Sequence, residues 1–141
     1  MRLIETEITI PAPAEQVWAT LIAFDTYENW NPFIVRGRGR AVVGERLELT
    51  MQPKGKKAIV FKPVVTIVTP QRHLQWLGHL LVPGVFDGRH EFLLEPNESS
   101  TRVVQRETFT GILPVLMGKQ LDFVEENFNA FNAALRQRVC S

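Results

Sequence analysis

The stretch Pro114–Val139, PVLMGKQLDFVEENFNAFNAALRQRV, sets the architecture that the rest of the chain must serve. Met117, Leu121, Val124, Phe128, Phe131 and Leu135 recur at three and four residues, while Lys119, Asp122, Glu126, Asn129 and Arg136 fall on the other side. That pattern predicts an amphipathic helix of about seven turns at 3.6 residues per turn. So long a rod must cross most of any sheet that a chain of 141 residues can build. The sheet has to bend around it.

Upstream, the period changes. Ile4, Thr6, Ile8 and Ile10 alternate with Glu5, Glu7 and Thr9, which predicts a strand over Leu3–Ile10 with one buried face. Pro11 and Pro13 end it, and Pro13 suits the opening of a short helix over Ala14–Ala23, where its missing N–H costs nothing. A second helical turn is expected over Thr26–Trp30. Strand signals then recur near Ile34–Gly39, Glu45–Met51, Lys57–Val68, Leu74–Leu81, Arg89–Glu95 and Arg102–Gly111, separated by Gly, Pro and Asn turn chemistry. Pro63 cannot donate to a ladder, so it marks a bulge or an edge. Short connections make the sheet antiparallel. The expectation is an α+β fold of one domain over residues 1–141. It has a curved antiparallel seven-stranded sheet around the C-terminal helix, with two short helices after the first strand. A straight helix cannot touch a bent sheet everywhere, and the gap left at one end is a ready-made ligand cavity.

Composition narrows the function classes. Hydrophobic residues at 45% and charged residues at 22% describe an ordinary globular chain rather than a disordered one. A net charge of +1 supplies no field toward nucleic acid or anionic membrane. Arg36, Arg38 and Arg40, like Lys54, Lys56 and Lys57, sit beside turns and read as solvated hairpin ends. With Cys140 alone, no intramolecular disulfide forms, which agrees with a reducing compartment. Met1–Glu5 has no apolar signal-peptide core, and no apolar run reaches a membrane span. A cytoplasmic protein without membrane insertion is expected, a monomer or weak homodimer. Neither HExxH, paired CxxC, a phosphate loop nor a nucleophile motif is present, and His73, His79 and His90 are too scattered for zinc. We expect no metal and no cofactor.

Three segments carry a family resemblance: Ile8–Trp18 continuing through Tyr27–Phe33, Leu74–Gly78 through Gly88–Pro96, and Thr101–Gly111. With the C-terminal helix, the whole chain resembles the helix-grip superfamily (SRPBCC). That group holds START lipid-transfer domains, the major pollen allergen and polyketide cyclase/dehydrase-type proteins. The resemblance implies the fold and a small apolar ligand; it is a poor guide to which one. The Pro83–Gly88 segment resembles the mouth loop of the plant abscisic-acid receptors. The second gate of those receptors has no counterpart in the polar turn Gln52–Lys57, which argues against hormone reception but leaves a lid open.

Alternation also picks out the inner faces. Val103, Gln105, Glu107 and Phe109 share one, His90, Phe92 and Leu94 another, and Leu74, Trp76 and Gly78 a third. Among these apolar rows His90, Gln105 and Glu107 stand out as the expected polar ligand contacts. A buried carboxylate must pair with His90 or an Arg, protonate, or see water. Trp76, Phe61, Phe86, Phe92, Phe109, Leu116 and Phe123 are the expected apolar ligand contacts, with Gln120 and Asn127 on the helix flank for a polar end. Trp76 and Phe92 serve equally as core, and the Trp30–Phe33 run reads as structural.

The leading reading is a carrier or sensor for a lipid- or polyketide-like molecule. An enzyme of cyclase/dehydratase type, with His90 and Glu107 as acid–base pair, ranks second. A protein-interaction role like that of the superfamily's co-chaperones ranks third, because the charged outer face of the helix offers no apolar patch.

Overall fold

The computed structural model describes residues 1–80, 84–112 and 122–141. In chain order these form β1 (Arg2–Ile10), α1 (Ala14–Ile22), a 3₁₀ helix (Phe24–Asn29), β2 (Ile34–Arg38), β3 (Glu48–Met51) and β4 (Ile59–Phe61). They continue with β5 (Val64–Thr69), β6 (His73–Leu80), β7 (Phe86–Pro96), β8 (Thr101–Thr110) and α2 (Asp122–Cys140). The strands pair antiparallel in the orders β1-β8-β7-β6-β5 and β2-β3-β4. Arg46 bridges to Val64, and the Leu47 N–H donates to Pro63 O at 2.8 Å, joining the two sets.

Pro63 explains the strand count. The single strand expected over Lys57–Val68 is split into β4 and β5 at Lys62-Pro63, where the ladder has no N–H to use, so seven strands become eight segments. Register shifts between Ile34 and Arg36 and between Val65 and Ile67 add local bend, as extra residues in a ladder do. The result is the curved antiparallel sheet that the long helix requires. Phe86, Asp87 and Gly88 belong to β7, so the expected loop contracts. The Asp87 carboxylate accepts the Gly84 N–H at 3.1 and 3.2 Å, while Pro83 lies outside the described residues.

Val124, Phe128, Phe131 and Leu135 of α2 are buried, as the 3.6 period requires. Met117 and Leu121 lie outside the described residues. Phe131 meets Phe92 at 5.3 Å, Trp30 at 5.7 Å and Tyr27 at 5.9 Å, so the 3₁₀ helix and Trp30 plug one end of the trough. Burial pushes the Tyr27 hydroxyl far above its ordinary range, and it donates to Leu21 O. Asn31 Oδ1 accepts the N–H groups of Phe33 and Ile34 at 2.9 Å each, which turns the chain into β2. The Trp30–Phe33 run is structural, as its composition suggested.

The outer face of the sheet carries its own ion pairs. Glu91 is 8% exposed; Arg106 Nε donates to it at 3.0 Å and His73 Nε2 lies at 2.9 Å. Burial pushes the Glu91 carboxyl up, but the bonds from Arg106 and His73 outweigh it and hold the group below the ordinary glutamate value. A depressed folded-state value stabilises the protein above the unfolded pKa and is lost as pH falls through the folded one. Arg106→Met should therefore cost on the order of 1 kcal/mol at pH 7 and flatten the loss of stability below about pH 4. Urea titrations of both proteins at pH 7 and pH 3 check this; parallel curves would refute it.

Candidate functional site

Three strands bring the singled-out polar residues together. Trp76, His90 and Glu107 lie opposite one another across β6, β7 and β8, and Leu74, Phe92 and Gln105 form the adjacent row. Period-two geometry points both rows inward, at α2. His90 Nδ1 stands 3.1 Å from Glu107 Oε1, and His90 Nε2 stands 2.9 Å from Gln105 Oε1. Of the options open to a buried carboxylate, Glu107 takes the pairing with His90.

From Gln105 the chain of bonds continues into the helix. Its Nε2 donates to Asn132 Oδ1 at 2.7 Å and faces Phe128 O at 3.4 Å; Asn132 Nδ2 donates to Thr6 Oγ1 at 2.9 Å. Thr6 in turn donates to Gln105 O at 3.1 Å. The directions are forced. Two backbone carbonyls can only accept, so Thr6 must give its proton to one and Gln105 must turn its NH2 toward the other. Gln105 Oε1 then faces His90, whose Nε2 must carry a hydrogen.

His90, expected beside the ligand, is instead enclosed. It is 4% exposed, stacked on Trp76 at 4.9 Å and 18°, with Phe92 at 4.9 Å and Phe128 at 5.0 Å. Gln105 has no exposed surface and belongs to the relay rather than to an opening. Glu107 is the member of the pair that solvent reaches, with 15% of its side chain exposed. Its Oε2 lies over Gly88, where any Cβ would collide with it. Gly88 pairs with Gly78, and the Phe61 ring lies over Gly78 in the same way. The missing side chains of this glycine pair let the Phe61 ring and the Glu107 carboxyl lie directly on the backbone of the inner face.

The remaining expected contacts divide. Phe109 is buried opposite Gly88, and Trp76 and Phe92 are core. Asn127 is buried and accepts the Lys54 N–H at 3.3 Å, tying α2 to the Pro53–Gly55 turn. Leu116 and Gln120 lie outside the described residues, as do the side chains of Phe86 and Phe123. His73 and His79 each sit by their own carboxylate, Glu91 and Asp87. A separate groove of about 290 Å³ runs past Asn29, Trp30, Gln137 and Arg138 at the plugged end, away from the pair. The sequence reading missed Asn132 and under-read Thr6, although both are polar residues on apolar stripes, the signal that exposed Gln105.

A curved antiparallel sheet gripping a long C-terminal helix defines the helix-grip class, START-like in its architecture. Residues 1–139 match the family model described as polyketide cyclase / dehydrase and lipid transport, and the chain belongs to that family. Similar solved structures include the Zhui aromatase/cyclase from Streptomyces sp. R1128, with TM-score 0.79 and 17% identity over 98% of this chain and 93% of that one. A START superfamily protein from Mycobacterium smegmatis gives 0.78 and 19% over 97% and 96%. Norcoclaurine synthase from Thalictrum flavum, a point mutant with a transition-state analogue, gives 0.76 and 13% over 99% and 94%. No curated protein matches the sequence. At these identities the likeness is one of fold.

If the relay fixes the helix on the sheet, Asn132→Ala leaves the buried Gln105 amide and Thr6 hydroxyl short of partners. The expected cost is about 1–3 kcal/mol in urea unfolding; a loss below about 0.5 kcal/mol, usual for surface sites, would sink the assignment.

Proposed function

We propose that this protein holds a small apolar or aromatic molecule between the sheet and the C-terminal helix, as a carrier or sensor. The observation that carries the reading is a partly exposed carboxyl on an apolar inner face. Glu107 lies over Gly88 and Phe61 over its partner Gly78, while the His90 side of the pair is sealed by aromatic rings. Apolar walls with a few placed polar groups are the usual make-up of ligand sites. Membership of a family named for polyketide cyclisation and lipid transport agrees with it. No helix among the described residues is long and apolar enough to cross a membrane. Native mass spectrometry of freshly purified protein, followed by titration with naphthalene, tests the reading. A retained adduct or saturable uptake is expected. Neither a co-purifying mass nor uptake would end it.

The 3.1 Å contact between His90 and Glu107 favours a second reading, an enzyme of cyclase/dehydratase type in which the pair moves a proton. Glu107→Gln should then abolish turnover of a polyketide-type substrate while the apolar probe still binds. Turnover at the native rate would remove the pair from any mechanism.

A further inference from the structure

Resting on the binding reading above, we infer that the Glu107 edge selects an apolar ligand that presents a hydroxyl or other hydrogen-bond donor, and rejects one that presents only acceptors. The protons along the relay can be counted. Gln105 O and Phe128 O are backbone carbonyls, so Thr6, Asn132 and Gln105 can point only one way, and His90 Nε2 is a donor. The contact between His90 Nδ1 and Glu107 Oε1 then holds one proton between two atoms that could each accept it.

Two arrangements satisfy that contact. Either Nδ1 carries the proton and Glu107 is ionised, or Oε1 carries it and His90 is neutral. In both, the proton lies on the His90 side and Oε2 offers lone pairs alone. The pair is also uncharged in sum either way. Among the described residues Oε2 has no hydrogen-bond partner, and it lies above Gly88 because no side chain occupies that position. A ligand buried against it must bring a donor; an ether, a fluorine or a carboxylate there would set lone pairs against lone pairs.

The same count makes a prediction that simple charge attraction does not. With Glu107→Gln, the amide NH2 donates to the bare Nδ1 of His90 and the amide oxygen takes the place of Oε2. The acceptor survives without any charge. Glu107→Met removes it. Gly88→Ala places a methyl where Oε2 lies and pushes the carboxyl aside.

The test is a binding series on the full chain with 2-naphthol, 2-fluoronaphthalene, naphthalene and 2-naphthoate at pH 7. For the native protein 2-naphthol should bind roughly tenfold tighter than the fluoro and parent compounds, the worth of one well-made buried bond, with naphthoate weakest. Glu107→Gln should keep that order, whereas Glu107→Met and Gly88→Ala should bring the neutral compounds level. Equal binding of all the neutral compounds by the native protein overturns the inference and leaves the binding reading standing. Loss of the preference in Glu107→Gln overturns it too, as does its survival in Glu107→Met or Gly88→Ala. Should none of the four bind, the binding reading itself has failed, and this inference with it.

Discussion

Gln105 stands in the middle of β8 without exposed surface, and its amide bridges the sheet to the helix. A buried amide left unpaired costs a few kcal/mol, so the position is tolerable only if helix and sheet meet in one register. Apolar contacts alone do not supply that demand: Val124, Phe128, Phe131 and Leu135 could slide by a turn and still be greasy. The bonds from Gln105 to Asn132 and from Asn132 to Thr6 cannot. They join α2 and β8 to β1 at the opposite end of the chain, and they also orient the imidazole of His90. One constraint thus sets both the seat of the helix and the hydrogen pattern at the candidate site.

Around that relay the interior divides its tasks by side-chain size. On one side aromatic rings close the space, with Trp76 stacked on His90 and Phe128 edge-on to it. On the other, Gly78 and Gly88 are paired across two strands, and Phe61 and the Glu107 carboxyl lie where their side chains would be. Glycine inside a strand forfeits packing and adds unfolded-state entropy, so two of them face to face weaken the sheet. A close approach over the backbone is what they permit in exchange. Beside His90 the trough is filled by the rings of Trp76, Phe92 and Phe128.

Much of this was legible in the sequence because periodicity reports which face is buried. The 3.6 repeat gave α2, and the alternation gave the inner rows of β6, β7 and β8. Glu107 beside His90 followed from the alternation once the strands were taken as neighbours. What could not be read was register. Gly88 opposite Gly78 depends on how the β6–β7 turn sets the pairing, and a slip of one residue would exchange the faces. Asn132 is illegible for a different reason. It lies four residues after Phe128 on the buried stripe, where a polar residue reads as a flank until its partner is known. The single strand expected over Lys57–Val68 is broken at Pro63, because a residue without an N–H interrupts the ladder rather than merely bending it.

Energetic scale separates what holds a ligand here from what chooses it. A two-ring molecule burying about 200 Å² of apolar surface gains about 5 kcal/mol, nearly the same for any molecule of that shape. A ligand oxygen left against lone pairs forfeits about 1–3 kcal/mol, which changes affinity by tenfold or more without changing the fit. On the proposed binding reading, affinity therefore belongs to the apolar walls and discrimination to Glu107. The carboxyl can serve that purpose only while its proton stays on the His90 side, and it stays there because the relay from Thr6 through Asn132 and Gln105 leaves His90 no other way to bond. On the binding reading proposed above, a residue on β1 and another on α2, neither of them in contact with Glu107 Oε2, thereby set what that oxygen accepts.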